Sequence, residues 1–225
     1  MTSSLGTRIS QESWPFPIKD RRAGNYVDLL PLSANDADAL WPAVVAAPES
    51  FTYLRYGPFA EIKSLQIFLK EVSARTHQPF WIVEPKGQAP QGWLSICDVD
   101  QKDSSIEIGS IWFSPSLQGT RAAREAIFLL MCHAMDELCY QRLVWRCQSQ
   151  NQKSFKAAKN LGFTYEGTWR RAAIVDGWQR DVAWFSILKE EWPCRRATIS
   201  RWLMSENFDA AGNQMARLAE LDCGM

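Results

Sequence analysis

Residues 106–126, IEIGSIWFSPSLQGTRAAREA, run from an apolar strand through a turn of small residues straight into a helix. The first N–H groups of a helix have no partner inside it and together carry roughly half a positive charge. A strand–turn–helix junction with Gly119, Ala122 and Ala123 at the bend therefore leaves room for a diphosphate against the backbone. A second stretch, NQKSFKAAKNLGFTYEG over residues 151–167, sets Asn151 and Ser154 at the start of another helix that closes at Gly162. Together the two stretches outline a site for a thioester cofactor.

The rest of the chain reads as one domain built around that junction. Residues 1–25 are polar and broken by Pro15 and Pro17, an irregular arm laid on the domain. Strands are expected over 26–32, 80–84, 91–99, 105–113 and 143–147, with 165–175 and 178–188 forming a hairpin across the two-residue turn Asp176-Gly177. Helices are expected from the capping run at Ser33 to about Val45, over 61–75, over 121–139 and over 153–160. In the third of these Ala123, Ile127, Leu130, Ala134 and Leu138 form an apolar stripe at helical spacing. Residues 193–225 add one or two amphipathic helices. This order predicts an α+β fold, a mixed sheet flanked by helices.

Within 105–113 the apolar set changes parity, from Ile106 and Ile108 to Ile111 and Phe113. Two readings stand: one residue inserted as a β-bulge near Gly109-Ser110, or an uninterrupted buried strand in which Trp112 also packs inward.

Composition narrows the function. Lys plus Arg equals Asp plus Glu at 25 each, so the chain lacks the basic field that nucleic-acid binding needs. No apolar run approaches the roughly 20 residues of a membrane span, and the N-terminus has no secretory signal; a cytoplasmic protein is expected. The six cysteines, Cys97, Cys132, Cys139, Cys147, Cys194 and Cys223, form no CxxC pair, and His77 and His133 are the only histidines. No metal site is expected, and the thiols are read as reduced and mostly buried.

Gln118-Gly119-Thr120-Arg121-Ala122-Ala123, Glu125-Ala126, Asn151, Ser154, Ala157, Gly162-Phe163, Glu166-Gly167 and Asp181 resemble the motifs of the GNAT superfamily of acyl-CoA N-acyltransferases, and in particular its RimJ/RimL-like branch. The resemblance covers about Tyr26 to Trp192, so a GNAT domain over 26–192 is expected between the arm (1–25) and a C-terminal helical extension (193–225). It implies a mostly antiparallel twisted sheet with a splayed parallel strand pair, and acetyl-CoA as cofactor with no metal. The acceptor it implies is a small-molecule or peptide amine, taken by a monomer or homodimer. The family's loop reads Gln/Arg-x-x-Gly-x-Gly/Ala, and its middle glycine is Arg121 here.

Acyl transfer from a thioester to an amine needs a neutral amine, a donor to the developing oxyanion and a proton for the leaving thiolate. Glu107, beside the proposed bulge, is either the base or a solvated strand carboxylate. Ser154 is the candidate proton donor and Asn151 a cofactor or water anchor; both also suit ordinary helix-start roles. The tyrosine that many family members place four residues after Ser154 is Ala158, and a strand glutamate that some use is replaced by Ala172-Ala173. The oxyanion donor is sought near Ile111, and the edge of Ile111, Trp112 and Phe113 is where the pantetheine arm pairs in the family. The N–H groups of Gln118, Gly119, Thr120, Arg121, Ala122 and Ala123 are expected to hold the diphosphate, with Arg121 and Arg124 either adding charge or staying solvated. Tyr53, in the loop that overhangs the acceptor in the family, and Asp181 on the last strand are candidate acceptor contacts. A rival reading is an acyl-CoA-binding module without turnover.

Overall fold

The computed structural model describes residue 6, residues 8–210 and residues 212–221. In chain order the elements are β1 (Arg22–Ala23), β2 (Val27–Pro31), α1 (Ala37–Val45), α2 (Ile62–Ser73), β3 (Phe80–Pro85), β4 (Gly92–Asp100) and β5 (Ser105–Phe113). They continue with α3 (Arg121–Cys132), β6 (Arg142–Gln148), α4 (Gln152–Asn160), β7 (Thr164–Val175), β8 (Trp178–Leu188) and α5 (Trp192–Leu203). The strands form a single sheet in the order β1-β2-β3-β4-β5-β6-β8-β7, antiparallel throughout except for β5 beside β6. That pair is parallel because α3 carries the chain back across the sheet, the connection a parallel neighbour requires.

The sheet buries side chains on both faces. One face packs against α3, α4 and α5 through Ile106, Ile108, Leu143, Trp145, Phe185 and Ile187, with Ala126, Leu130, Ala158 and Trp202 from the helices. The other face is covered by α1 and α2, but only over β2 to β5, where Phe80, Ile82, Trp93 and Trp112 meet Leu40, Val44, Leu65 and Leu69. Trp93 and Trp112 lie 4.5 Å apart between ring centroids, and Phe51 stacks on Trp112 at 5.1 Å. Burying side chains of this size contributes about 1.5–3 kcal/mol each. Beyond β5 that second face has no helix over it, and Trp169 stands 60% exposed.

Two expectations change. The arm is not wholly irregular: Arg22 and Ala23 pair with Leu29 and Asp28, Trp14 is buried with Nε1 donating to the Cys139 carbonyl at 2.8 Å, and Gly24 to Val27 wrap onto α3. There the buried Glu125 carboxylate accepts from the N–H groups of Asn25, Tyr26 and Val27 at 2.9, 2.6 and 3.0 Å. The helix predicted over 121–139 is α-helical only to Cys132 and then widens into a π turn, His133–Glu137, where the Leu138 N–H reaches the His133 carbonyl five residues back.

The cysteine reading also changes. Cys194 is disulfide-bonded, while Cys97, Cys132, Cys139 and Cys147 are free thiols, of which only Cys147 is fully buried; Cys223 lies outside the described residues. Among the described residues no three His, Cys, Asp or Glu are grouped to hold a metal ion, and no helix is long and apolar enough to cross a membrane.

Candidate active site

Where the two central strands meet, β5 carries one residue more than β4. Trp93 faces Trp112 and Ser95 faces Gly109, so Ser110 and Ile111 together stand opposite Leu94. This is a β-bulge at the position the parity change marked, and Ser110 adopts φ 48° within it. Trp112 packs inward as well, its Nε1 donating to Ser50 Oγ at 2.8 Å. The bulge is braced: Gln78 Nε2 donates to Ser110 Oγ and to Ser95 Oγ, each at 3.0 Å, and the Tyr56 hydroxyl donates to the Ser110 carbonyl at 3.0 Å.

The bulge opens a fork. β5 and β6 pair only at Ser105–Arg142, Ile106–Leu143 and Glu107–Val144, after which β6 continues with β8 as far as Gln148–Val182. Past Glu107, then, no strand among the described residues pairs with β5 on its β6 side, and residues 108–113 present a backbone edge there whose last carbonyl, that of Phe113, is taken by the Gln118 side chain.

Glu107 stands at the root of the fork, 6% exposed, which rules out the solvated reading. Arg146 from β6 contacts it through Nε and reaches Asp98 of β4 through Nη2. The Arg146 guanidinium lies over Trp184 at 4.8 Å, and Trp184 stacks against Trp169 at 4.3 Å. Gly109 makes space for the carboxylate: a Cβ there would sit 3.0 Å from Glu107 Oε1 and 2.8 Å from Cys97 Sγ. Burial pushes the Glu107 carboxyl up to about 8, and the Arg146 guanidinium in contact with it works in the opposite direction by favouring the carboxylate. Burial first, and Glu107 second, push the Cys97 thiol up, so it stays protonated.

The α4 start is on the other side. Asn151 caps α4, its Oδ1 accepting from the Ser154 N–H at 3.1 Å. Ser154 Oγ in turn accepts from Trp145 Nε1 at 3.1 Å, and its hydroxyl lies against the Cys147 thiol, as a donor set towards sulfur.

The turn before α3 holds fewer open N–H groups than the motif suggests. Gln118 donates to the Ser114 carbonyl at 3.0 Å, Thr120 to the Leu117 carbonyl at 3.2 Å, and Ala123 to its own cap, Thr120 Oγ1, at 3.1 Å. The N–H groups of Gly119, Arg121 and Ala122 carry no such bond among the described residues. Gly119 sits at φ 77° with open space around it, a conformation that calls for glycine. The Gln118 side chain turns back onto the Phe113 carbonyl at 2.9 Å and meets Lys153 Nζ at 3.4 Å, bridging the two helix starts.

The two arginine side chains lie against aromatic rings. Arg121 lies between the rings of Tyr26 (4.3 Å) and Phe208 (3.4 Å), and Arg124 over Trp202 (3.9 Å), because the arm and the extension after α5 place aromatic faces beside the first turn of α3. Tyr53 spans the open face, its hydroxyl donating to the Gln150 carbonyl at 3.3 Å. Asp181 Oδ1 accepts the Arg171 N–H at 2.6 Å, holding an irregularity in β7 at which Arg171 has φ 54°.

Arg146, Asp98 and Trp184 escaped the sequence reading. The one signal was that Arg146 shares strand parity with Val144, the partner of Glu107, and so falls on the Glu107 face.

Comparison with known proteins gives a consistent picture. The crystal structure of a GCN5-related N-acetyltransferase from Brucella melitensis matches with a TM-score of 0.92 and 36% identity over 94% of this chain and 98% of that one. The Bacillus subtilis protein named "Putative ribosomal N-acetyltransferase YdaF" is 31% identical over 101 residues, 45% of this chain and 55% of its own length; the chain spans about half the length of the curated relatives it matches. RimL, a ribosomal L7/L12 alpha-N-protein acetyltransferase, shares the fold at a TM-score of 0.65 and 18% identity, over 75% of this chain and 94% of that one. The profile of the Acetyltransferase (GNAT) domain matches residues 27–164, more than half of the sequence, and the chain belongs to the GNAT acetyltransferase family.

Proposed function

We propose that the protein moves an acetyl group from acetyl-CoA directly to a primary amine, and that residues 26–192 form the transferase unit with the arm and the extension packed on it. The observation that carries this reading is the fork past Glu107, with a buried carboxylate on one side and the Ser154 hydroxyl at a helix start on the other.

GNAT acetyltransferases use acetyl-CoA, and the residues here fit it. The unbonded N–H groups of Gly119, Arg121 and Ala122, at the start of a 12-residue helix, suit a diphosphate, and the edge of β5 through Ile111, Trp112 and Phe113 suits the amide-bearing pantetheine arm. Acetyl-CoA, when bound, supplies the activated acyl carbon.

Glu107 takes a proton from the acceptor ammonium, directly or through water, turning it into a nucleophile. An ordinary alkylammonium has a pKa near ~10.4, so a carboxyl pushed up to about 8 narrows the gap that this transfer must cross. An N–H near Ile111 would donate to the oxygen on which charge builds. Ser154 gives its hydroxyl proton to the departing sulfur and recovers one from the newly acylated nitrogen. Overall the C–S bond breaks, a C–N bond forms, the amine yields an amide, and the thiol and one proton are released.

The acceptor is an amino acid, a peptide or protein N-terminus, or a small amine, approaching over the face carrying Tyr53 and Trp184. The name of the Bacillus subtilis relative makes a ribosomal-protein N-terminus one member of that set. A thiol-release assay with acetyl-CoA and a panel of amines, including N-terminal peptides of ribosomal proteins, tests the proposal. Release of CoA matched by amide formation on at least one amine is expected. Tight CoA binding with no amine consumed would instead identify a non-catalytic acyl-CoA-binding module.

A further inference from the structure

We propose that Arg146 is the positioning residue of the acceptor half-site, a guanidinium bridge between Glu107 and Asp98 that favours the ionised form of the Glu107 carboxylate against its burial and fixes it at the root of the fork. The inference rests on the reading of Glu107 as the base.

The geometry supports it in three ways. Arg146 is on β6 and its two carboxylate partners are on β5 and β4, so a single side chain ties together the three strands that meet where β5 and β6 part. Its plane is held from the other side by Trp184, which Trp169 backs in turn, so the fork of N–H groups has little freedom to turn away. Glu107 is also nearly sealed from water, and a buried carboxylate without a cation would take up a proton and lose its capacity to act as base.

The charged and titratable groups around Glu107 are Cys97 and Asp98 from β4 and Arg146 from β6; Arg55, in the loop after α1, acts on Arg146 through its charge. Cys97 stays neutral, so the balance lies between the Asp98 carboxylate and the Arg146 guanidinium.

This arrangement gives opposite signs for two substitutions. Glu107 works only when ionised, so kcat/KM rises with pH through its pKa. Removing Arg146 leaves the carboxylate buried without its cation and moves that rise to higher pH. Removing the charge of Asp98 leaves Arg146 wholly to Glu107 and moves the rise to lower pH.

The experiment is a pH profile of kcat/KM for the full chain with acetyl-CoA and the best amine of the panel, alongside CoA affinity by calorimetry. For Arg146→Met the rise is expected to shift up by about one pH unit or more, with kcat at neutral pH down at least tenfold and CoA affinity unchanged. Arg146→Lys should restore part of the shift, since it returns the charge without the two-pronged contact. Asp98→Asn, at the exposed rim of the site and so tolerated if Arg146→Met fails to fold, should shift the rise down by a few tenths of a unit.

Shifts of the same sign in Arg146→Met and Asp98→Asn, or no shift in either folded variant, would overturn the proposal. Glu107→Gln separates this from the underlying reading. If that variant keeps both its rate and its pH rise, Glu107 is not the base; if it loses both while Arg146→Met matches the parent, only the role of Arg146 falls.

Discussion

On the α3 and α4 side of the fork, the groups offered to a ligand are main-chain N–H groups and one hydroxyl; on the β4, β6 and β8 side they are charged side chains leaning on a pair of tryptophans. The first side sits on a closed core, packed by three helices. The second has no helix above it beyond β5, and Trp169 and Trp178 are left 60% and 74% exposed. The difference is one of material, main chain on one side and side chains on the other. A backbone site depends on chain geometry and tolerates many side chains, whereas a side-chain site on an open face is remade by single substitutions.

If the two sides are independent in this way, damage to one should spare the other. Glu107→Gln is the most severe test: kcat/KM should drop by about 10²–10⁴-fold, the usual contribution of a general base, while CoA affinity by calorimetry stays within a factor of two. A parallel loss of CoA affinity would break the division. Next is Ser154→Ala, which removes the hydroxyl but keeps the Asn151 cap on its N–H; a loss of about 10²-fold in kcat, the lower end of the range for a general acid, is expected, read by stopped-flow thiol release, again with CoA affinity preserved.

Gly119→Ala acts on the backbone side alone. Forcing a side chain into a φ of 77° costs about 1–2 kcal/mol, so the KM for acetyl-CoA should rise about tenfold while that for the amine holds. The mildest variant is Phe208→Ala, which takes one ring from Arg121. Loss of a contact worth about 0.5–1 kcal/mol should lower the melting temperature by about 2–3 °C and leave kinetics on both sides untouched. An altered KM for acetyl-CoA would mean that the C-terminal extension reaches into the donor side.

The same division decides what could be read from sequence. The backbone side rests on local patterns: Gly119 at a turn, Asn151 three residues before Ser154, a parity change at Gly109-Ser110, an Asp176-Gly177 turn. Each is a short-range rule of chain conformation, and each corresponds to a feature of the structure. A mixed sheet flanked by helices followed from the same element sequence, while the order of its strands did not.

The side-chain face depends on contacts between residues far apart in the chain, 98 with 146 and 107 with 146, and no local pattern announces them. The direction of Arg121 escaped for the same reason, since its rings come from residues 26 and 208. The reading of Gln118, Thr120 and Ala123 as open donors missed that a tight turn consumes its own N–H groups.

The clasp of Glu125 on the amides of Asn25, Tyr26 and Val27 bears on how the protein can be re-engineered. A version trimmed to begin at residue 28 would leave the buried Glu125 side chain on α3 without the three N–H groups that it accepts from, so deletions from the front should stop before Gly24. New chain ends for permuted or split forms belong instead at the solvent-facing tip between Asp176 and Gly177, where both residues already hold positive φ and lie away from both sides of the fork.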